Sequence, residues 1–123
     1  AAFHRTLGTL LASRVPKVRW NAAVCVAHVA CDPRGADACA EALGAALDDP
    51  TFKVRRIAAQ ALCRVVASAP LAASTRASLA ARATAAAAQL TEQLHAAPFD
   101  AQQHGHACRE LLDELGSTLG TST

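Results

Sequence analysis

The sequence has no methionine and no tyrosine, and its aromatics are three Phe and one Trp. A sheet-rich domain draws on aromatic and β-branched side chains, so this shortage argues against one. It also leaves little with which to build the stacking platforms of single-strand nucleic-acid binders. Only 6 Gly and 5 Pro break up the 123 residues. Charged residues are 18% of the chain, against 52% hydrophobic, and the net charge is +2. That balance excludes disorder, which needs low apolar content and high net charge. No uncharged run approaches the ~18–20 apolar residues of a membrane span. Residues 1–12, with His4 and Arg5, lack a signal-peptide layout, and with no initiator Met the chain is expected to be a segment of a longer protein. The five cysteines (Cys25, Cys31, Cys39, Cys63 and Cys108) are odd in number and form no C-x-x-C pair. Most fall at apolar positions of helical patterns, where Cys acts as a small hydrophobe. The expectation is free thiols in a reducing intracellular compartment, cytoplasmic or nuclear.

Alanine is what the chain has in quantity: 32 residues, about a quarter of the total. Ala loses least on entering a helix, so the fold class expected is all-α. Internal repetition organises it. Lys17-Val18-Arg19, Ala22-Ala23, Val26 and Val29 recur as Lys53-Val54-Arg55, Ala58-Ala59, Leu62 and Val65, each offset by 36 residues. Leu7 and Leu43, and Leu11 and Leu47, keep the same offset. Each unit reads as a helical hairpin. In the second unit a helix over Ala38 to Leu47 is stopped at Asp48-Asp49-Pro50. A second helix over Lys53 to Ala67 follows. Val54, Ile57, Ala58, Ala61, Leu62, Val65 and Val66 make one apolar stripe on it, opposite Lys53, Arg56, Gln60 and Arg64. The first unit repeats this with Val18, Ala22, Cys25, Val26 and Val29, ending before Asp32-Pro33.

A third unit lacks the Lys-Val-Arg signature. Ser74 or Thr75 is expected to cap a long helix reaching about Ala96, broken by Pro98. Asp100 is expected to cap a last helix carrying Ala107, Cys108, Leu111, Leu112 and Leu115, closed by Gly116. The domain therefore spans residues 1–116 in units of about 1–33, 34–70 and 71–116, with a frayed tail over 117–123. Ala and Cys at inward positions supply little apolar area. At ~25 cal/mol per Å2, one such hairpin does not offset the ordering entropy of its residues, so stacking on neighbouring units must supply the rest.

The pattern Leu43-x-x-x-Leu47-x-Asp49-Pro50-x-x-x-Val54-Arg55-x-x-Ala58-Ala59-x-x-Leu62 resembles the HEAT/armadillo class of α-solenoid repeats. Lys17-Val18-Arg19-Trp20-Asn21-Ala22, Asp32-Pro33 and Phe52-Lys53-Val54-Arg55 are similar to the C-terminal repeats of a scaffold-type HEAT-repeat family, over roughly residues 15–70. The resemblance implies a right-handed α-α superhelix, flanking repeats in the same chain, and second helices lining the concave surface. It also implies a ladder between units from an Asp before the second helix and an Arg within it. Asp49 and Arg55 occupy those places. In the first unit Arg19 matches, but Ser13 stands where the Asp would be.

Trp20 aligns with Arg56 on the polar side of the second helix. It reads either as a binding anchor or as packing against a preceding unit or the Lys17 stem. Asn21 aligns with Ile57, near the apolar stripe, where it needs a partner. That partner is a turn carbonyl, placing Asn21 with the structural ladder, or the backbone of an extended peptide. Arg14, Lys17, Arg19, Lys53, Arg55, Arg56 and Arg64 concentrate positive charge in residues 1–70, which carry a balance of +4 against −2 for residues 71–123. This suggests a weakly basic face toward an acidic partner, or a solvated helix face plus the Arg ladder, which is the preferred reading. Nucleic acid is disfavoured, since its binders are usually strongly basic. His104, His106 and Cys108 form a metal-like cluster, short of a fourth ligand and interrupted by Gly105. Neither His28 nor His95 is followed by Glu, which counts against iron bound through His-Glu pairs. Glu110, Asp113 and Glu114 read as a solvated face. No nucleophile, phosphate-loop or dinucleotide motif occurs. The expectation is a non-catalytic scaffold without cofactor or metal, binding protein through Trp20, Arg19, Lys53, Arg56 and Arg64. The alternatives are a structural subunit of a large assembly or a weakly basic nucleic-acid binder.

Overall fold

The computed structural model describes residues 9–29, 35–68, 70–95 and 99–120. The expectations on Leu7, Cys31, Asp32, Pro33, Ala96, Pro98 and residues 121–123 lie outside these, as do the side chains of Val26, His28, Val29 and Asp100. After a helical turn at 9–11 come five helices: α1 (Pro16–Val29), α2 (Ala36–Ala46), α3 (Phe52–Ser68), α4 (Ala73–Leu94) and α5 (Phe99–Gly120). There is no strand among the described residues, and the chain is all-α. None of the described helices is long and apolar enough to cross a membrane. The helices lie in two rows. α3 packs between α1 and α5 in one, α2 packs beside α4 in the other, and α2 rests on α3 as α4 rests on α5.

The sequence repeat is a structural repeat at the starts of α1 and α3. The Ser13 hydroxyl accepts the Val15 N–H at 3.2 Å, and the Val15 carbonyl accepts from Val18 and Arg19. The Asp49 carboxylate accepts the Thr51 N–H at 2.9 Å, and the Thr51 carbonyl accepts from Val54 and Arg55. Every residue of the first turn has its counterpart 36 positions on. Each side-chain oxygen satisfies a backbone donor that would otherwise be orphaned ahead of the helix. Pro16 opens α1 at the position where a missing N–H costs nothing.

The core is Leu43, Leu47, Leu62, Leu79, Leu90 and Leu115 set among buried alanines. Small residues let the helices approach closely. A Cβ on Gly44 would stand 3.1 Å from both the Leu79 and Arg82 side chains, so α2 meets α4 almost backbone to side chain there. In α3, Val54, Ala58, Ala59, Ala61, Leu62, Val65 and Val66 are buried, while Lys53, Arg56, Gln60 and Arg64 are exposed. Its position in mid-row explains why α3 is covered over more of its circumference than a single stripe.

Four local expectations are corrected. α4 starts at Ala73 with Ala72 as its N-cap, so Ser74 and Thr75 lie in the first turn instead of capping it. The cap comes from another helix: Asp37 of α2 accepts the Ala72 N–H at 2.9 Å. That bond, with a second from Thr75, holds the Asp37 carboxyl below its ordinary pKa. Next, α5 begins at Phe99 and runs unbroken to Gly120, so Asp100 is in its first turn, Gly105 does not interrupt it, Gly116 does not end it, and residues 117–120 are helix and not a frayed tail. The reason is the buried series Cys108, Leu112, Leu115 and Leu119, whose burial outweighs the ~1 kcal/mol each Gly subtracts from a helix. Gly105 is itself buried where a Cβ would overlap the Leu94 side chain. Third, Cys25 is exposed, while Ala22 and Ala23 of the same helix are buried. Last, Asn21 is exposed, unlike half-buried Ile57. Ile57 belongs to the helix flanked on both sides, whereas α1 has only α3 beside it in the row among the described residues.

Candidate functional site

Arginines from the α1–α3–α5 row fasten it to the turns at its back. Arg19 Nε meets Asp49 Oδ2 at 2.5 Å and a second guanidinium nitrogen reaches Oδ1 at 3.1 Å. Its third nitrogen donates to the Ser13 carbonyl at 2.8 Å. This bidentate arrangement is the strongest geometry for the pair, and Asp49 and the Arg19 side chain are only 8% and 11% exposed. The Asp49 hydrogen bond raises the Arg19 pKa above its ordinary value, against the opposing effect of burial, and the charge of Asp49 adds to the rise. Arg55, 36 residues later, takes equivalent partners with the nitrogens exchanged. Its Nε donates to the Asp49 carbonyl, where Arg19 uses a terminal nitrogen for that of Ser13, and a terminal nitrogen donates to Gln93 Oε1 at 2.7 Å. Each arginine therefore closes the turn before its own helix and reaches forward to the end of the first helix of the next hairpin. The forward partner is a carboxylate in one case and an amide in the other. Sequence reasoning identified Asp49, Arg55 and Arg19 but missed Gln93, and it grouped Asn21 with the ladder, which among the described residues runs without it.

The front of the row carries the other expected residues. Trp20 is half-buried, and Lys53, exposed, holds its ammonium 4.7 Å from the Trp20 ring centroid. Such a contact at an exposed site is worth about 0.5–1 kcal/mol, which biases both side chains toward each other across the α1–α3 boundary. A cleft of about 370 Å3 opens beside them, lined by Pro16, Lys17, Trp20, Thr51, Lys53 and Val54. A second of about 210 Å3 continues from Trp20 and Lys53 over Arg56, Ile57 and Gln60 to His104 of α5. Arg56 lies 3.2 Å from His104 Nδ1. A third, between α3 and α5, is lined by Arg56, Gln60, Ala107, Glu110, Leu111 and Glu114. The front is thus basic over α1 and α3 and acidic over α5. Arg64 is exposed near the far end of α3 and lines none of these three clefts. Of the five residues expected to bind a partner, Trp20, Lys53 and Arg56 share this surface, while Arg19 is committed to Asp49 behind it.

The metal-like cluster read from the sequence does not come together. His104 faces Arg56, His106 is exposed and Cys108 is buried, so the three diverge. No group of three or more His, Cys, Asp and Glu among the described residues could hold a metal ion. Burial pushes the Cys63 thiol up to about 11, with the Glu114 charge adding to it. It pushes Cys108 up to about 11 too, against the pull of Arg55. Thiols so protonated are poor nucleophiles. Cys63 instead donates to the Leu111 carbonyl at 3.4 Å, tying α3 to α5. No family model, curated protein or solved structure matches this chain.

Proposed function

We infer that the chain is a non-catalytic, protein-binding segment of a HEAT/armadillo-type α-solenoid, a right-handed superhelix continued by flanking repeats. Support for the architecture comes from the two-row packing and from the turn that recurs at Ser13–Arg19 and Asp49–Arg55. In such a stack each unit contacts only its neighbours and one row presents an extended surface. The observation that carries the function is the placement of Trp20, Lys53 and Arg56 on one face, between clefts open to solvent. An aromatic set beside cations is the composition of an interface anchor. Glu110 and Glu114 on the same row break any long phosphate track, which favours protein over nucleic acid.

The test uses the full-length protein as bait and compares it with the W20A/R56A double variant. Proteins retained by the wild type are expected to be lost from the variant while helical circular dichroism is unchanged. Equal retention by both, or a collapse of helicity, contradicts the assignment of the surface.

A further inference from the structure

Resting on that protein-binding reading, we propose that the cleft between the first turns of α1 and α3 receives an acidic, extended segment of a partner protein, with one apolar side chain seated against Trp20 and Val54 and carboxylates on Lys17 and Lys53. Three observations converge. The lining is two-natured: Pro16, Trp20 and Val54 supply apolar walls, while Lys17, Lys53 and Thr51 supply polar groups. At about 370 Å3 it has room for a side chain and adjoining backbone.

The charge is of one sign. Lys17 and Lys53 are both exposed, and among the described residues neither has a carboxylate within ion-pair distance. The nearest acid in sequence to the lining, Asp49, is taken up by Arg19 and the Thr51 N–H. Both helices also begin here, so the positive ends of two dipoles add to the field of the lysines. The 36-residue repeat makes this doubling systematic, since Lys17 and Lys53 are equivalent positions of successive units.

The direction of the segment follows from the charge gradient. The adjoining cleft brings Arg56 next, and beyond it the row turns acidic at Glu110 and Glu114. A bound segment therefore places its acidic residues over α1 and α3 and is neutral or basic where it leaves over α5. The Lys53–Trp20 contact sets the ammonium at the cleft wall before binding, which reduces the ordering needed on association.

Trp20 is the only tryptophan, so its fluorescence reports on the cleft directly. The probes are a synthetic peptide with Leu between runs of Glu, its counterparts with Gln or Lys in place of Glu, and oligodeoxythymidylate. A saturable change is expected with the Glu peptide alone, weakening as salt is added. By calorimetry the K17E/K53E variant is expected to bind the Glu peptide about tenfold more weakly, as two reversed surface contacts imply, with the milder K17Q/K53Q variant between. Preference for the Lys peptide, equal response to the Gln peptide, or response only to the oligonucleotide overturns the inference, as does silence toward all four. Failure here with continued loss of partner capture by W20A/R56A leaves the protein-binding reading standing, so the two fail separately.

Discussion

The junction between α1 and α3 and the junction between α3 and α5 do the same mechanical work with different chemistry. In the first, Arg19 bridges the Ser13 carbonyl and the Asp49 carboxylate, and Lys53 sits over Trp20. In the second, Arg55 bridges the Asp49 carbonyl and the Gln93 amide, and a thiol, Cys63, reaches the Leu111 carbonyl. In one seam the guanidinium meets an anion and in the other only uncharged acceptors, yet the arginine occupies the same place in both. What the repeat preserves is the need to satisfy a turn carbonyl and to hold the incoming hairpin, and the sign of the forward partner is free to vary.

Truncation should separate the seams most sharply. Arg19→Ala leaves Asp49 nearly buried with only the Thr51 N–H as a partner, and is expected to destabilise by roughly 3 kcal/mol in urea titrations. Arg55→Ala strands the Asp49 carbonyl and leaves the exposed Gln93 amide to water, neither of them charged, and about 2 kcal/mol is expected. Equal losses would erase the distinction. Added salt should narrow the gap, because only the first seam pairs opposite charges.

Glycine gives the next effect. Gly116 has open space around its missing Cβ, so Gly116→Ala should raise stability by about 1 kcal/mol. Gly105→Ala should show no such gain, because the added methyl meets Leu94 and overpacking opposes the helical preference. Giving buried Arg55 an anionic partner by Gln93→Glu should add about 0.5–1 kcal/mol, since the exposed end at position 93 keeps the pair in contact with water.

The smallest effect at neutral pH comes from two thiols, half-buried Cys63 at the second seam and buried Cys108. Unfolded thiols titrate at 9.0 and Cys63 and Cys108 in the fold at about 11. Below pH 9 both states are protonated and stability is unaffected. Between 9 and 11 the unfolded chain ionises while the folded one does not, so stability falls as pH rises. The urea midpoint should drift downward over that range, and a C63A/C108A variant should drift less. Exposed Cys25 should react with a thiol reagent ahead of both.

The first two units were legible because composition and period agree there. The 36-residue offset located α1 and α3, and the predicted bounds of α2 and α3 fall within two residues of the helices found. The third unit was read less well for a physical reason. Its first helix, α4, has 22 residues where α2 has 11, so the offset fails and nothing in the local sequence marks Gln93 as the partner of Arg55. Gly105 and Gly116 have the local propensity of breaks, which the packing of Cys108, Leu112, Leu115 and Leu119 overrides. The cap of α4 was invisible for the same kind of reason, since it comes from Asp37, 35 residues away. At the candidate site, Trp20, Lys53 and Arg56 could be placed on one face from spacing alone. Asn21 and Cys25 were misjudged because coverage at the end of a row depends on neighbours that spacing does not count.

The most direct test of the repeating arginine bridge is a double-mutant cycle on Arg19 and Asp49, with R19A, D49A and the pair compared by equilibrium unfolding. A favourable coupling of roughly 1–3 kcal/mol is predicted, in the range of contacting residues. Additive losses, with no coupling beyond ~0.5 kcal/mol, would mean that the two side chains do not meet and that successive units are not fastened in this way.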